Sequence, residues 1–195
     1  EVIDLLGREA GCEAEISQIT SQAMRGELDF KTSLRARVAL LKGLPISVFD
    51  TVFKSIHLSK NAQEFISILQ KKRILVGLVS GGFIPIVERL AESLGISYFS
   101  ANQLEVKDGF LTGKLVGEIV TGQVKNATLE KWRKELELPK ERTIAIGDGA
   151  NDLLMLKTAG HGIAFCAKEV VKAEIAYHVD TRDFLEVLPL IDFLE

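Results

Sequence analysis

The chain has 195 residues, of which 47% are hydrophobic and 26% charged, and its formal net charge is −3. This composition is close to the globular average and excludes a disordered or fibrous chain. The slight negative charge disfavours non-specific nucleic-acid binding, which needs a cationic surface. No apolar run reaches the roughly 18 residues that a membrane span needs. Two distant cysteines and the lack of a basic-then-apolar start favour a cytoplasmic protein.

The first third of the chain predicts helices. Between residues 3 and 41, apolar residues recur at steps of three and four, which is the period of an amphipathic helix. The Gly-Leu-Pro run at residues 43–45 ends this pattern, and residues 47–56 predict one more short helix. No stretch here has convincing strand character, so residues 1–58 are expected to form a small helical module.

From about residue 59 the pattern changes to alternating helices and strands. Helices are predicted at residues 61–72, 84–94, 128–138, 151–157 and 168–173, and strands at 74–79, 96–101, 143–146, 162–165 and 175–179. Asp108-Gly109 predicts the turn of a hairpin within residues 104–116. The alternation implies right-handed βαβ units and a mostly parallel sheet. Residues 59–195 are therefore expected to form a doubly wound, Rossmann-like α/β domain.

Residues 147–152 read Gly-Asp-Gly-Ala-Asn-Asp and follow a predicted buried strand. The strand delivers Asp148 to the carboxyl edge of the sheet, where ligands bind in open α/β folds. With Asn151 and Asp152, it forms a cluster of the hard oxygen donors that Mg²⁺ prefers. A plain turn with a helix cap would leave Asp148 and the two glycines unexplained, so we interpret the segment as a functional site.

A second buried strand, predicted at residues 74–79, is followed by Ser80-Gly81-Gly82 and then by a helix. A hydroxyl, unhindered backbone N–H groups and the positive end of a helix dipole together favour phosphate binding. Ser-Gly-Gly alone is as typical of a capped turn. Lys125 precedes a predicted helix, where its ammonium could neutralise a phosphoryl oxygen, and a solvated lysine is the alternative.

One cation of the helical module is a candidate for substrate binding. Arg37 has the guanidinium fork that holds a carboxylate at two points, and Met24 and Phe30 lie nearby in sequence. A solvated helix face is the alternative for Arg37. The three histidines of the chain have no partners at metal-ligand spacing, and we interpret them as structural or exposed.

Together these motifs resemble those of the haloacid-dehalogenase-type phosphotransferases, and within them the phosphoserine phosphatases. Residues 80–83 are similar to the second motif of the family, Lys125 to the third, and residues 147–152 to the fourth, which is the most specific. Residues 23–38 and 106–113 resemble the cap segment of phosphoserine phosphatases. The resemblance covers essentially the whole chain and implies a helical cap, residues 1–58, on a Rossmann-like core, residues 59–195.

The resemblance implies hydrolysis of O-phospho-L-serine, the last step of serine synthesis, through an aspartyl-phosphate and with Mg²⁺ as cofactor. Asp148 would then be a metal ligand, and Asp152 would support the metal and its waters. Ser80, the Gly81 amide and Lys125 would hold the phosphoryl oxygens. A dianionic phosphate needs such donors, so the residue types agree with this activity.

The same resemblance implies the remaining substrate contacts. Arg37 would bind the substrate carboxylate and Glu1 its amino group. Met24 and Phe30 would line the pocket, and Asn151 would lie beside the phosphate. One cation and one anion suit a zwitterionic amino acid. The expected partner is thus a small molecule, with no nucleic acid and no membrane, and a homodimer is a further expectation.

The chain departs from the family at its first motif. That motif, two aspartates separated by one residue, supplies the nucleophile and occurs nowhere here. In the family it stands just before the residues that match Glu1 onward. We expect missing sequence before Glu1, because removing a central strand would leave unpaired backbone groups on both neighbours. The chain would then be inactive by itself, and its gene would encode an apolar strand ending in Asp-x-Asp upstream.

Three alternatives to phosphoserine hydrolysis follow. The first is a family member that acts on another small phosphomonoester, such as phosphohomoserine. The second is a degenerate relative without catalysis that binds or senses an amino acid. The third, a dinucleotide-binding enzyme, is disfavoured because no Gly-x-Gly-x-x-Gly follows any predicted strand.

Overall fold

The structure is a computed structural model that describes residues 1–191. It divides into two compact units. The first unit comprises Glu1–Ile56 and Leu78–Val120, and the second comprises His57–Gly77 and Thr121–Glu195. These bounds are drawn differently from the expected cap and core. The division at residue 58 stays a prediction, and the last four residues of the expected core lie outside the described residues.

The described residues contain helices and strands in alternation, which confirms the prediction of the α/β class. The α-helices are α1 (Val2–Glu9), α2 (Glu13–Met24), α3 (Phe30–Ala39), α4 (Val48–Lys54), α5 (Ala62–Lys71), α6 (Ile84–Ser93), α7 (Gly122–Glu135), α8 (Leu153–Thr158) and α9 (Glu169–Lys172). The strands are β1 (Gly77–Phe83), β2 (Tyr98–Lys107), β3 (Phe110–Val116), β4 (Ile144–Gly147), β5 (His161–Phe165) and β6 (Tyr177–Val179). Short 3₁₀ helices cover Lys140–Arg142, Ala150–Asp152 and Phe184–Leu190.

The helices α1 to α4 bury the apolar faces that their periodicity predicts. Leu6 of α1 and Ile16 of α2 are fully buried, and they share one core cluster with Val38 of α3 and Phe49 of α4. The start of α3 is fixed by Asp29, whose side chain accepts a hydrogen bond from Thr32 N–H at 3.0 Å. This cap sets the position of a helix that carries several of the candidate site residues.

The hairpin of the first unit forms as predicted. Strands β2 and β3 pair antiparallel, with Lys107 opposite Phe110. Asp108 and Gly109 form the turn with φ values of 52° and 81°. Two consecutive positive φ angles match the right-handed twist of the strands, and Asp-Gly is a favoured pair for such a turn.

The prediction of a Rossmann-like fold with a parallel sheet is confirmed, although the described strands do not all lie in that sheet. The strands form two three-stranded sheets, in the orders β1-β2-β3 and β4-β5-β6. The second sheet is parallel throughout, whereas the first contains the antiparallel hairpin. A pattern of alternating helices and strands predicts that neighbouring strands are parallel, but it does not show whether the strands belong to one sheet or to two.

The strand predicted at residues 74–79 begins and ends later than expected. β1 covers Gly77–Phe83, so Ser80 and Gly81 lie inside the strand and the helix begins at Ile84. Leu75 is 60% exposed, so this stretch is not buried on both faces. The prediction used hydropathy alone, whereas the observed strand pairs with β2 and continues past the apolar run.

The helix that carries Lys125 begins earlier than the predicted residue 128. Thr121 caps α7 by accepting a hydrogen bond from Val124 N–H at 3.3 Å, and the helix starts at Gly122. Lys125 therefore lies in the first turns of α7 rather than before it. Glycine and polar residues at 122–127 weaken the apolar periodicity, which is why the sequence analysis placed the start too late.

The second unit has its own apolar contacts behind the parallel sheet. Phe165 at the end of β5 stacks on Phe184 with ring centroids 4.3 Å apart, and Phe65 of α5 lies 5.4 Å from the same ring. Among residues 1–191, no helix has the length and apolar character needed to cross a membrane.

Candidate active site

Asp152 is the most connected of the candidate residues in the second unit. It is buried, and its Oδ1 accepts a hydrogen bond from Lys125 Nζ at 2.6 Å. Its Oδ2 accepts from Gly149 N–H at 3.0 Å and from Asp148 N–H at 3.3 Å. Both carboxylate oxygens are thus engaged inside the protein, so Asp152 orients its neighbours rather than offering a free oxygen to a ligand.

Glycines allow the segments around Asp152 to approach closely. A Cβ on Gly147 would lie 2.6 Å from Asp152 Cβ, which is closer than real Cβ atoms come. A Cβ on Gly122, at the start of α7, would lie 2.9 Å from the Asn151 carbonyl oxygen. The close packing of α7 on this turn brings Lys125 within reach of Asp152.

Lys125 is a buried cation, not a solvated one. Its side chain is 9% exposed and that of Asp152 is 7% exposed. Taking both charges out of water is costly, and a short, well-formed ion pair with further hydrogen bonds offsets that cost. Lys125 is fixed in one place by Asp152, which excludes the solvated-lysine alternative.

Asp148 differs from Asp152 in its surroundings. It follows the last residue of β4 and is exposed, and its carboxylate makes no hydrogen bond or ion pair within the described part of the chain. The Asp148 backbone is held in place, since its carbonyl accepts from Lys168 N–H at 3.1 Å. The result is a fixed main chain with a free carboxylate.

The donor set around Asp148 fits one part of a magnesium site. Mg²⁺ in proteins is commonly held by one or two carboxylates, with waters and substrate phosphate completing its shell. Asp148 can supply one carboxylate ligand. Within residues 1–191, no group of three or more His, Cys, Asp and Glu side chains could hold a metal ion. Asn151 is exposed on the following 3₁₀ helix, and its side chain makes no hydrogen bond to any residue within 1–191.

In the first unit, Ser80 and Gly81 lie on β1 with a defined backbone geometry. Gly82 N–H donates to Ser80 Oγ at 3.0 Å. The Gly81 carbonyl accepts from Asn102 Nδ2 at 2.7 Å, and Asn102 Oδ1 in turn accepts from Val120 N–H at 2.8 Å. The Gly82 N–H is thus engaged by Ser80, and the phosphate-binding role of Ser80 and the Gly81 N–H stays a prediction.

Arg37 on α3 is 7% exposed, which excludes a solvated helix face. Its Nη1 lies 3.8 Å from Glu1 Oε2 and donates to Thr20 Oγ1 at 3.5 Å. Its Nε donates to the Ser33 carbonyl at 3.4 Å. Because Nη2 has no hydrogen-bond partner in the described part of the chain, the guanidinium retains donors for a carboxylate.

Glu1, Phe30 and Met24 lie nearer to solvent. The Glu1 side chain is 73% exposed, Phe30 is 40% exposed and Met24 is 77% exposed. The Phe30 ring approaches Gly81, because a Cβ on Gly81 would lie 4.0 Å from Phe30 Cζ. Hydrogen bonds from the Thr32 hydroxyl and backbone lower the pKa of Asp29, so the cap of the helix that carries Phe30 stays ionised.

The structure therefore brings the predicted residues together in two sets. Glu1, Phe30, Arg37, Ser80 and Gly81 belong to the first unit, and Lys125, Asp148, Asn151 and Asp152 belong to the second. Met24, also of the first unit, has no contact that supports its predicted role as a pocket wall. That role stays a prediction.

Two residues of this site were not found by sequence analysis. Asn102 binds the Gly81 carbonyl from 21 positions away, and Thr20 binds Arg37 from 17 positions away. Both are polar residues within otherwise ordinary strand and helix patterns. A polar residue at a buried position of a strand is a signal that could have marked Asn102, whereas nothing in the local sequence distinguishes Thr20.

Comparison with known proteins gives concordant matches. The family model described as haloacid dehalogenase-like hydrolase matches residues 4–157. A phosphoserine phosphatase from Streptococcus thermophilus is 55% identical over 192 residues, which are 98% of this chain and 89% of the relative.

Two solved structures are similar along nearly their whole length. One, described as a phospho-aspartyl intermediate analogue of phosphoserine phosphatase, has a TM-score of 0.89 and 45% identity, and the match covers 97% of this chain and 91% of the other. A substrate-bound phosphoserine phosphatase complex has a TM-score of 0.90 and 45% identity, covering 97% of this chain and 90% of the other.

Proposed function

This chain belongs to the haloacid dehalogenase-like hydrolases, and on that premise we propose that it is a phosphoserine phosphatase. The reaction is hydrolysis of O-phospho-L-serine to L-serine and phosphate. The similarity of this chain to the Streptococcus thermophilus enzyme and to the substrate-bound phosphoserine phosphatase complex supports O-phospho-L-serine as the substrate.

The observation that carries the proposal is the arrangement around Asp152. The buried Asp152 carboxylate accepts hydrogen bonds from Lys125 Nζ at 2.6 Å and from the backbone N–H groups of Asp148 and Gly149. It thereby fixes an ammonium in the same unit as the free carboxylate of Asp148. Fixed charges of this kind stabilise a phosphoryl group as its charge redistributes, without reorganising during the reaction. Lys125 holds a phosphoryl oxygen, and Asp152 holds Lys125.

Magnesium is the proposed cofactor, with Asp148 as its carboxylate ligand from this chain. When bound, the cation neutralises phosphate charge and polarises the phosphoryl oxygens. Asp152 supports the Asp148 turn through its bonds to the backbone N–H groups. In the first unit, Ser80 and the Gly81 N–H bind phosphoryl oxygens, and Asn151 in the second lies beside the phosphate.

Residues on and near α3 bind the amino-acid part of the substrate. Arg37 binds the carboxylate through its unengaged donors, and Glu1 binds the ammonium. Phe30 and Met24 line the apolar side. Cytoplasmic serine synthesis and a homodimer complete the proposal, and the nucleophilic aspartate expected from the family's first motif has no counterpart at any position of the chain.

Phosphate release from O-phospho-L-serine by the full-length gene product tests the proposal. We expect EDTA to stop phosphate release and added Mg²⁺ to restore it. The Asp148→Asn variant should release no phosphate at any magnesium concentration tested. The exposed Lys157, which pairs with Glu174 on the surface, provides the control variant Lys157→Met, which should be fully active. Release unaffected by EDTA, or preference for phosphohomoserine over phosphoserine, would overturn the proposal.

A further inference from the structure

Asn102 is a polar side chain in the interior of β2, where it is 1% exposed. Burying an amide is costly unless its polar groups are hydrogen-bonded, and Asn102 is bonded at both ends. Its Oδ1 accepts from Val120 N–H at 2.8 Å, and its Nδ2 donates to the Gly81 carbonyl at 2.7 Å. Because a backbone N–H can only donate and a carbonyl can only accept, the two partners fix the orientation of the amide.

Asn102 and Ser80 are hydrogen-bonded to opposite sides of the same peptide group, the one between Gly81 and Gly82. The Gly81 carbonyl and the Gly82 N–H belong to the same planar peptide, so fixing the oxygen also directs the N–H. That N–H donates to Ser80 Oγ at 3.0 Å. A hydroxyl has one hydrogen and two lone pairs, so Ser80 receives the N–H on one lone pair and keeps its hydrogen to donate elsewhere.

The two glycines make an external restraint necessary. Gly81 and Gly82 have no Cβ, so their backbone has access to far more conformations than other residues. Pairing of β1 with β2 and the bond from Gly82 N–H to Ser80 Oγ restrain this peptide only from its N–H side and through the strand backbone. Asn102 supplies the restraint from the neighbouring strand, and its own position is secured by Val120.

We propose that Asn102 is a positioning residue for phosphate binding, which fixes the Gly81–Gly82 peptide so that the Ser80 hydroxyl donates to a phosphoryl oxygen. Asn102 itself does not touch the substrate. The inference deepens the proposed function and rests on the role assigned there to Ser80. Its consequence is that the effect of Asn102 on catalysis passes through the Ser80 hydroxyl.

A double-mutant cycle on the full-length gene product tests this dependence. Asn102→Asp keeps the acceptor for Val120 but turns a carboxylate oxygen toward the Gly81 carbonyl, and Ser80→Ala removes the hydroxyl. We expect Asn102→Asp to lower kcat/KM by about tenfold and to weaken inhibition by orthophosphate by a similar factor. In the Ser80→Ala background the same change should cost less than about twofold. The adjacent exposed Gln103 provides the control, since Gln103→Glu is also an amide-to-acid change on β2.

Additive effects of Asn102→Asp and Ser80→Ala, or an Asn102→Asp enzyme as active as Gln103→Glu, would overturn the inference. If thermal unfolding shows that Asn102→Asp does not fold, Asn102→Ser takes its place, because serine removes the bridge without adding a charge. The cycle is run with the phosphomonoester that the protein hydrolyses best. A substrate other than phosphoserine would therefore contradict the proposed function while leaving the role of Asn102 open to the same test.

Discussion

At the scale of single residues, hydrogen bonds and burial determine what each charged side chain of the candidate site can do. Asp152 uses both carboxylate oxygens inside the protein, one for Lys125 and one for two backbone N–H groups. Asp148, four positions earlier, uses neither of its oxygens in the described chain. Two identical side chains thus acquire different roles, one structural and one available to a ligand, because their burial and partners differ.

Removing the cation of the buried pair should be strongly destabilising. Lys125→Met leaves the Asp152 carboxylate buried without its counter-charge, and we expect a loss of about 3 kcal/mol in the free energy of unfolding. Lys157→Met breaks an ion pair whose two side chains are each 50% exposed, and it should cost less than about 1 kcal/mol. Urea titration measures both. Equal losses for the two variants would show that burial does not determine the energetics of the Lys125–Asp152 pair.

The Thr20 hydroxyl should affect substrate affinity through Arg37. Thr20 Oγ1 accepts from Arg37 Nη1 and donates to the Ile16 carbonyl at 2.9 Å, so it links the guanidinium to the α2 backbone. Thr20→Val removes this link at nearly constant volume, and we expect KM for phosphoserine to rise by about threefold with little change in kcat. Thr20→Ser should keep the wild-type KM, and a rise in KM for Thr20→Ser equal to that of Thr20→Val would argue against a role for the hydroxyl.

At the scale of secondary-structure elements, the bounds of helices and strands depend on caps, turns and strand pairing, which the apolar pattern does not show. Asp108-Gly109 predicted the hairpin because that pair has a specific backbone preference. The start of α7 was missed because the Thr121 cap precedes glycine and polar residues. The bounds of β1 were missed because the strand, which pairs with β2, continues past the apolar run through Gly81 and Gly82.

The cap of the last 3₁₀ helix should make stability depend on acid pH. Asp183 accepts from Leu185 N–H and from Asn61 and pairs with Lys60 at 2.9 Å. The Lys60 and Asn61 hydrogen bonds lower the pKa of Asp183 below its ordinary value of 3.8. A lowered folded-state pKa stabilises the fold above the unfolded-state pKa, and this contribution is lost as the pH falls through the folded-state pKa. Asp183→Asn should therefore reduce the unfolding free energy at neutral pH, with a difference from wild type that narrows below about pH 4. Parallel pH profiles of the two proteins in chemical denaturation would contradict this account.

The turn after β4 should tolerate no side chain at Gly147. A Cβ there would lie 2.6 Å from Asp152 Cβ and 2.7 Å from its Cγ, so Gly147→Ala must displace the carboxylate that holds Lys125. We expect a loss of about 100-fold in kcat, because small misplacements in a catalytic site have effects of that size. Phosphate release, with circular dichroism to verify folding, measures this. A folded Gly147→Ala protein with wild-type kcat would show that the position of Asp152 is not critical.

At the scale of the whole molecule, the candidate residues of each unit come from segments that are distant in sequence. The motifs around Ser80, Lys125 and Asp148 could be predicted because each is short and has a chemical reason for its residue types. The residues that restrain Gly81 and Arg37 could not be predicted, because Asn102 and Thr20 act through hydrogen bonds to residues 21 and 17 positions away. The division of the strands between two sheets was missed for the same reason, since pairing is a long-range property.

In the proposed function, the protein hydrolyses phosphoserine and Arg37 binds the carboxylate of that substrate. Phosphoethanolamine has the same phosphate and ammonium but no carboxylate, so it isolates that contact. For the full-length gene product we expect kcat/KM to be about 100-fold higher for phosphoserine than for phosphoethanolamine, as for a charge-assisted contact of roughly 3 kcal/mol, and Arg37→Ala should remove most of this preference. Equal kcat/KM values for the two substrates, or an undiminished preference in Arg37→Ala, would contradict the account.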